Sequence, residues 1–290
     1  MNLTIDHAPI ARSDLDDATA EFSRIGLEPE YGGAHANGTT HMAVLGFDDG
    51  SYLELISGTD PDVEPDLWPE PIEGNAGPCA WCIEVEDVAE TLKRAIDTGT
   101  EVRGPVNMAR ERPDGTRVEW DVGFLGEQSS EEFPFVIADR TPREFRVTPT
   151  DSVAGGPIRG IERVVVAVRD LDGSIESFRR LFGLARPERT EIRDFGGEVA
   201  SFPGEPLALA TPLDDGNSAG RELDDRLKTY GERPCACLLG VEDIDVARER
   251  YALGDPIERA DRRVAFFDAT TLDRRLGVVE TERAASASDR

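Results

Sequence analysis

The 290-residue chain holds three histidines, and they fall close together as His7, His35 and His41. Glu54 follows soon after, inside the apolar run Tyr52-Leu53-Glu54-Leu55-Ile56. Imidazole nitrogens and a carboxylate gathered in one stretch suit either a divalent metal or a polar substrate. For His7 and Glu54 the alternative is a buried His–Glu hydrogen bond. His41 is balanced between lining a pocket and a structural role. His35 lies in Gly32-Gly33-Ala34-His35, where it is either a solvated turn residue or a ligand contact. Trp81 and Phe135 stand in later apolar runs and could wall a substrate pocket, with core packing as the alternative. Arg163 is open between binding an anion and pairing with a carboxylate. No nucleophile triad, phosphate loop or dinucleotide fingerprint is present.

The elements that must position these residues repeat along the chain. Ala11-Arg12-Ser13-Asp14-Leu15-Asp16 returns as Ala167-Val168-Arg169-Asp170-Leu171-Asp172. At the same spacing, Cys79-Ala80 returns as Cys235-Ala236 and Val85-Glu86-Asp87-Val88 as Val241-Glu242-Asp243-Ile244. Two separate segments at one offset indicate a duplication. Each half divides again, because every quarter opens with an apolar strand, an acidic N-cap and an amphipathic helix. The expected strand and helix pairs are Leu3–Ala11 with a helix capped by Asp14 and ended by Gly26, then Cys79–Val85 with Asp87 to Thr98. Ile161–Val168 with Asp170 to Phe182, and Cys235–Val241 with Asp243 to Leu253 stopped by Gly254, complete the four. Strands follow each helix. The clearest are Thr39–Phe47 and Ser51–Ser57, joined through Asp48-Asp49-Gly50 as a hairpin. The expected organisation is a first domain at 1–147, a linker at 148–157, a second domain at 158–283 and a tail at 284–290. The Pro-, Glu- and Gly-rich stretch Asp60–Gly77 is a long loop, either a functional flap or a disordered connection, and Ala219–Tyr230 is an additional short helix candidate.

Four strand–helix–three-strand units resemble the vicinal-oxygen-chelate superfamily of glyoxalases, bleomycin-resistance proteins and ring-cleaving dioxygenases. The resemblance is sharpest to a glyoxalase-like family. Its motifs are matched by Asp6-His7, by Gly32-Gly33-Ala34-His35 with Gly38-Thr39, and by Tyr52-Leu53-Glu54-Leu55. The resemblance implies an α+β fold of four βαβββ modules, paired into two curved mixed sheets. It implies a divalent metal in the cup of a sheet, held by first and last strands. Here those ligand positions are His7 and Glu54, with His41 a further donor if it faces the cup. Such a metal is a Lewis acid toward a substrate with vicinal oxygens, and Glu54 or a water on the metal would move the proton. The equivalent positions elsewhere are Ala80, Arg163 and Ala236 for His7, and Phe135, Ala208 and Gly277 for Glu54. The second half is therefore expected to lack a metal site, which disfavours a ring-cleaving dioxygenase.

Two functions follow. One is a metal-dependent lyase or isomerase working in the first-half cup, with His35, His41, Trp81 and Phe135 around the substrate. The other is a metal-free binding or sequestration protein of the bleomycin-resistance type, with Trp81, Phe135 and Met42 lining the pocket. Composition bounds the setting. With 59 acidic and 32 basic residues the formal net charge is -27, which repels nucleic-acid phosphates and anionic membranes. Recurrent apolar strands argue against a disordered acidic chain. The reading is a halophilic, salt-adapted protein whose carboxylate repulsion is screened at high salt. The start of the chain has no signal-peptide pattern, no window reaches membrane-span length, and the cysteines read as buried free thiols. The expected location is the cytoplasm, and the expected partner a small molecule.

Overall fold

The computed structural model describes residues 3–127, 131–259, 262–268, 272 and 275–281. The first module runs β1 (Ile5–Ala11), α1 (Leu15–Arg24), β2 (Glu30–Ala34), β3 (Thr40–Gly46) and β4 (Tyr52–Gly58). A connection with the short helix α2 (Pro69–Glu73) and the bridge strand β5 (Gly77–Pro78) leads to the second. That module is β6 (Cys82–Glu84), α3 (Val88–Asp97), β7 (Val102–Glu111), β8 (Arg117–Leu125) and β9 (Phe135–Asp139), followed by one helical turn, α4 (Arg143–Arg146). The third is β10 (Ile158–Ala167), α5 (Leu171–Phe182), β11 (Glu188–Ile192), β12 (Gly197–Ser201) and β13 (Leu207–Pro212). Helix α6 (Ser218–Tyr230) connects it to β14 (Arg233–Val241), α7 (Ile244–Arg250), β15 (Ile257–Arg259), β16 (Arg262–Phe266) and β17 (Leu276–Glu280).

These strands form two curved mixed sheets. The first is ordered β2-β3-β4-β1-β6-β9-β8-β7 with β5 beside β1, and the second β11-β12-β13-β10-β14-β17-β16-β15. Within each module the first and last strands pair parallel, and the modules join through antiparallel β1–β6 and β10–β14. The α+β fold of four βαβββ modules is thus present as read from the sequence. Each module helix starts where an aspartate occupies the N-cap: Asp14, Asp87, Asp170 and Asp243 accept from backbone N–H groups in the first turn. Helix α1 turns Leu15, Ala18 and Phe22 into one core with Ala8, Ile10, Leu53 and Leu55. That core continues without a break into the second half through Trp81, stacked on Phe178 at 6.3 Å, and Phe133, 4.8 Å from the same ring. Among the described residues no helix is long and apolar enough to cross a membrane.

Two elements differ from the sequence pattern, for local reasons. The strand expected over Cys79–Val85 shortens to Cys82–Glu84. Pro9 on β1 has no N–H to give the facing residues, so the ladder lapses there. In the second half Val165 takes that place, and β14 stays paired with β10 from Ile158 to Ala167, though with register shifts. Helix α7 ends at Arg250 rather than near Gly254. Tyr251 turns to φ −120° and is buried against Gly26, while the Ala252 N–H donates to Ile25 O at 3.2 Å. A tertiary contact stops this helix before its glycine.

Candidate functional site

Strand register decides which side chains share the concave face of the first sheet. His7 pairs with Tyr52 on one side and Cys82 on the other, and Cys82 pairs with Phe135. Glu54 is two residues beyond Tyr52, on the same face by the period of a strand. The result is a close group: the His7 ring stacks on Tyr52 at 4.5 Å and meets the edge of Phe135 at 5.2 Å. His7 Nε2 lies 3.6 Å from one Glu54 oxygen, and His35 Nε2 lies 3.4 Å from the other. His7 is 5% exposed and Glu54 6%, so the cup is closed down to these groups.

Asp6 joins them through a bulge. Between Ile5 and His7 the register with β6 slips by one residue, so Asp6 and His7 project together where strict alternation would separate them. The Asp6 carboxylate is fully buried and accepts from His7 Nδ1 at 2.5 Å, from Arg146 at 2.7 and 2.8 Å, and from Arg143 at 2.6 Å. Burial opposes its charge, but the Arg146 and His7 hydrogen bonds win, and its pKa falls far below the usual carboxylate range. Asp6 is therefore ionised and accepts only, which places a His7 proton on Nδ1 and directs Nε2 at Glu54. His35 also turns Nε2 toward Glu54, and its Nδ1 lies 2.9 Å from Thr40 Oγ1. Burial likewise opposes ionisation of Glu54. The His35 hydrogen bond and the charges of His35, His7 and Arg110 overcome it and hold its pKa below the ordinary value. Arg110 is buried beside the site and donates to Gly32 O and Arg146 O.

Two imidazole nitrogens directed at one ionised carboxylate call for positive charge between them, either protons or a metal ion. The donor chemistry fits a divalent metal, because an outer carboxylate that fixes the tautomer is the usual support of a metal-bound histidine. A second group, Asp6, His7 and Cys82, has ligand atoms within 4.8 Å of one another. It suits a metal less well. Both Asp6 oxygens already accept from guanidinium groups, and burial raises the Cys82 thiol well above its ordinary pKa. All four cysteines are buried free thiols.

The remaining sequence candidates divide. Phe135 reaches the cup, flanked by Trp68 at 6.4 Å and Phe124 at 6.1 Å. His41 does not: it pairs with Ser57 and Ala34, one residue out of phase with the Glu54 face. It lies in a groove beside Asp14 and Asp16 of the α1 start, edge-on to Tyr31. Trp81 is also out of phase. It is wholly buried in the core between the halves, where its Nε1 donates to Glu132 O. The site also takes in Asp6, Tyr52, Arg110, Arg143, Arg146 and Trp68. Asp6 stood in the Asp-His motif, while the arginines carried no local signal. Trp68 adopts a left-handed backbone at φ 48°, a strained conformation for a bulky residue, at the edge of the cup.

Residues 5–182 match the family model described as a glyoxalase-like domain. No curated protein matches the chain. Among solved structures, a hypothetical protein from Staphylococcus aureus shares 14% identity over 96% of this chain and 99% of its own, with a TM-score of 0.61. A mutant of 4-hydroxymandelate synthase from Streptomyces coelicolor shares 14% identity over 96% of this chain and 92% of its own, at TM-score 0.58. A xylose isomerase-like TIM barrel/4-hydroxyphenylpyruvate dioxygenase fusion protein covers 99% of this chain with half its own length, at 14% identity and TM-score 0.56. At these identities the structures show a common fold. The family match spans more than half of the sequence, and the chain belongs to the glyoxalase-like domain family.

Proposed function

We propose that the first-half cup is the active site of a metal-dependent lyase or isomerase acting on a small substrate with vicinal oxygens. The observation that carries this reading is the orientation of His7: a buried, ionised Asp6 holds its Nδ1 proton and turns Nε2 toward Glu54. His7 and Glu54 would hold the ion, with His35 Nε2 the next donor. The bound metal would polarise the substrate oxygens and make the neighbouring proton more acidic. Glu54, kept ionised by its neighbours, accepts that proton at a carboxylate oxygen and returns it. Tyr52 and Phe135 hold the His7 ring in place and keep water from it.

The test is elemental analysis of protein purified in molar salt without chelator. About one divalent metal per chain is expected in the wild type, with His7→Ala and Glu54→Gln each losing most of it. A wild type that takes up no zinc, iron, manganese or nickel on soaking would sink this mechanism. The metal-free sequestration reading would then stand, with Phe135 and Met42 of its expected lining but without Trp81, which faces the core.

A further inference from the structure

The second half repeats the cup but replaces its chemistry. Its backbone bulge is conserved, because the register between β10 and β14 slips between Ile161 and Arg163 just as β1 slips between Ile5 and His7. Glu162 and Arg163 thus stand where Asp6 and His7 stand, and Ala208 takes the place of Glu54. Helix α6 covers one end of this concave face, with Leu223 and Leu227 packed on Ala167, Ala210 and Ala236. The other end remains a cavity of about 220 Å³.

Its lining is divided in character. Val165, Ala208, Ala236 and Leu238 make an apolar floor, and Phe195 and Phe266 stand as walls. Three guanidinium groups, those of Arg163, Arg259 and Arg262, face the same space against one lining carboxylate, Glu188. Arg259 is held between the two aromatic walls, 5.7 Å from the Phe195 centroid and 5.0 Å from that of Phe266. One of its terminal nitrogens donates to Asp194 at 2.6 Å, while its Nε is buried with no hydrogen-bond partner among the described residues. A buried N–H of that kind costs free energy unless a ligand takes it up. Arg262 is fixed by Glu162 at 3.0 Å.

We propose that the second cup is a binding site for a small monoanionic carboxylate with an aromatic or branched apolar body. The carboxylate would sit against Arg259 and Arg163, and the body would lie on the floor that Ala208 and Ala236 leave open. Arg259 and Arg262 already meet Asp194 and Glu162 and Glu188 lines the same space, so the site holds no excess of positive charge to suit a multiply charged phosphate. The cavity is smaller than the roughly 300–1,000 Å³ of drug-sized sites, which limits the ligand to about the size of one ring.

Titration calorimetry of the full chain with benzoate and phenylacetate tests this, with benzamide as the neutral isostere and inorganic phosphate as the compact anion. Saturable binding of a carboxylate is expected, at least tenfold weaker in Arg259→Gln and in Ala208→Leu, which fills the floor. Benzamide and phosphate should bind at least tenfold more weakly than benzoate. His7→Ala should leave benzoate binding unchanged, which separates this site from the first-half cup and its metal. Absence of saturable binding of either carboxylate at millimolar concentration would overturn the proposal. So would equal binding of benzoate and benzamide, or binding lost in His7→Ala but kept in Ala208→Leu. Should Arg259→Gln fail to fold by circular dichroism, Ala208→Leu and the benzamide comparison decide the matter.

Discussion

Asp6 is the residue on which the first cup depends most, although it contacts no substrate in the proposed mechanism. It balances two guanidinium groups, fixes the His7 tautomer and has no exposed surface. Asp6→Asn keeps its shape and removes its charge, leaving Arg146, itself buried, short of its bidentate partner. Breaking a buried ion pair from one side costs about 3–5 kcal/mol, so the variant is expected to lose that much in urea denaturation. A loss below about 1 kcal/mol would mean that Asp139 alone satisfies Arg146. In the folded variant, metal affinity should fall roughly 10–100-fold, as for other lost partners of ligating histidines. At this scale the sequence was only partly legible. His7, His35 and Glu54 stood out by residue type, and the chain brings them together. Arg146 lies far from Asp6 along the chain, and nothing in its neighbourhood marks it as the counter-ion.

Elements decide which of these residues can meet. A strand turns alternate side chains to opposite faces, so a one-residue difference in phase removes His41 and Trp81 from the cup. The β-bulge at Asp6 does the reverse and adds a residue that alternation would exclude. The helices were readable because caps and apolar spacing are local signals. The bulge, the lapse opposite Pro9 and the early end of α7 arise from pairing with distant chain, which no single segment records. The placement of His41 has a pH consequence. Burial lowers its pKa, and the carboxylates of Asp16 and Asp14 only partly offset this. A histidine whose folded pKa is depressed binds fewer protons folded than unfolded. Its contribution to stability is therefore present above the ordinary histidine value of about 6.5 and is lost as pH falls. In an NMR titration the His41 ring is expected to titrate below that value, with a midpoint unmoved by Glu54→Gln. A midpoint that follows Glu54→Gln would place His41 in the cup after all.

Across the whole molecule, the duplication gave two sheets of one design, and the chain then bound them into one body. The apolar core runs from Leu3 through Trp81 and Phe178 to Val278 without division. The connection after the first module supplies a further link between the halves. Arg226 of α6 is buried and reaches across to it, donating to Ala76 O at 2.6 Å and Pro78 O at 2.5 Å as well as to Pro234 O at 2.7 Å. Burial pushes its pKa down to about 10, which still leaves it charged near neutral pH. Three carbonyls facing one guanidinium are what make that charge tolerable inside the fold. Arg226→Met should fill much of the volume but strand those acceptors, at about 1–3 kcal/mol for each left unsatisfied. If the halves are one cooperative unit, that loss must appear everywhere. All three tryptophans, Trp68, Trp81 and Trp120, lie in the first half, whereas far-ultraviolet circular dichroism reports both. In urea the two probes are expected to give coincident transitions in the wild type, and midpoints displaced together in Arg226→Met. Separate transitions, or a variant that moves the dichroism and leaves the fluorescence in place, would show that the halves unfold independently. The shared core would then count as an interface between two domains.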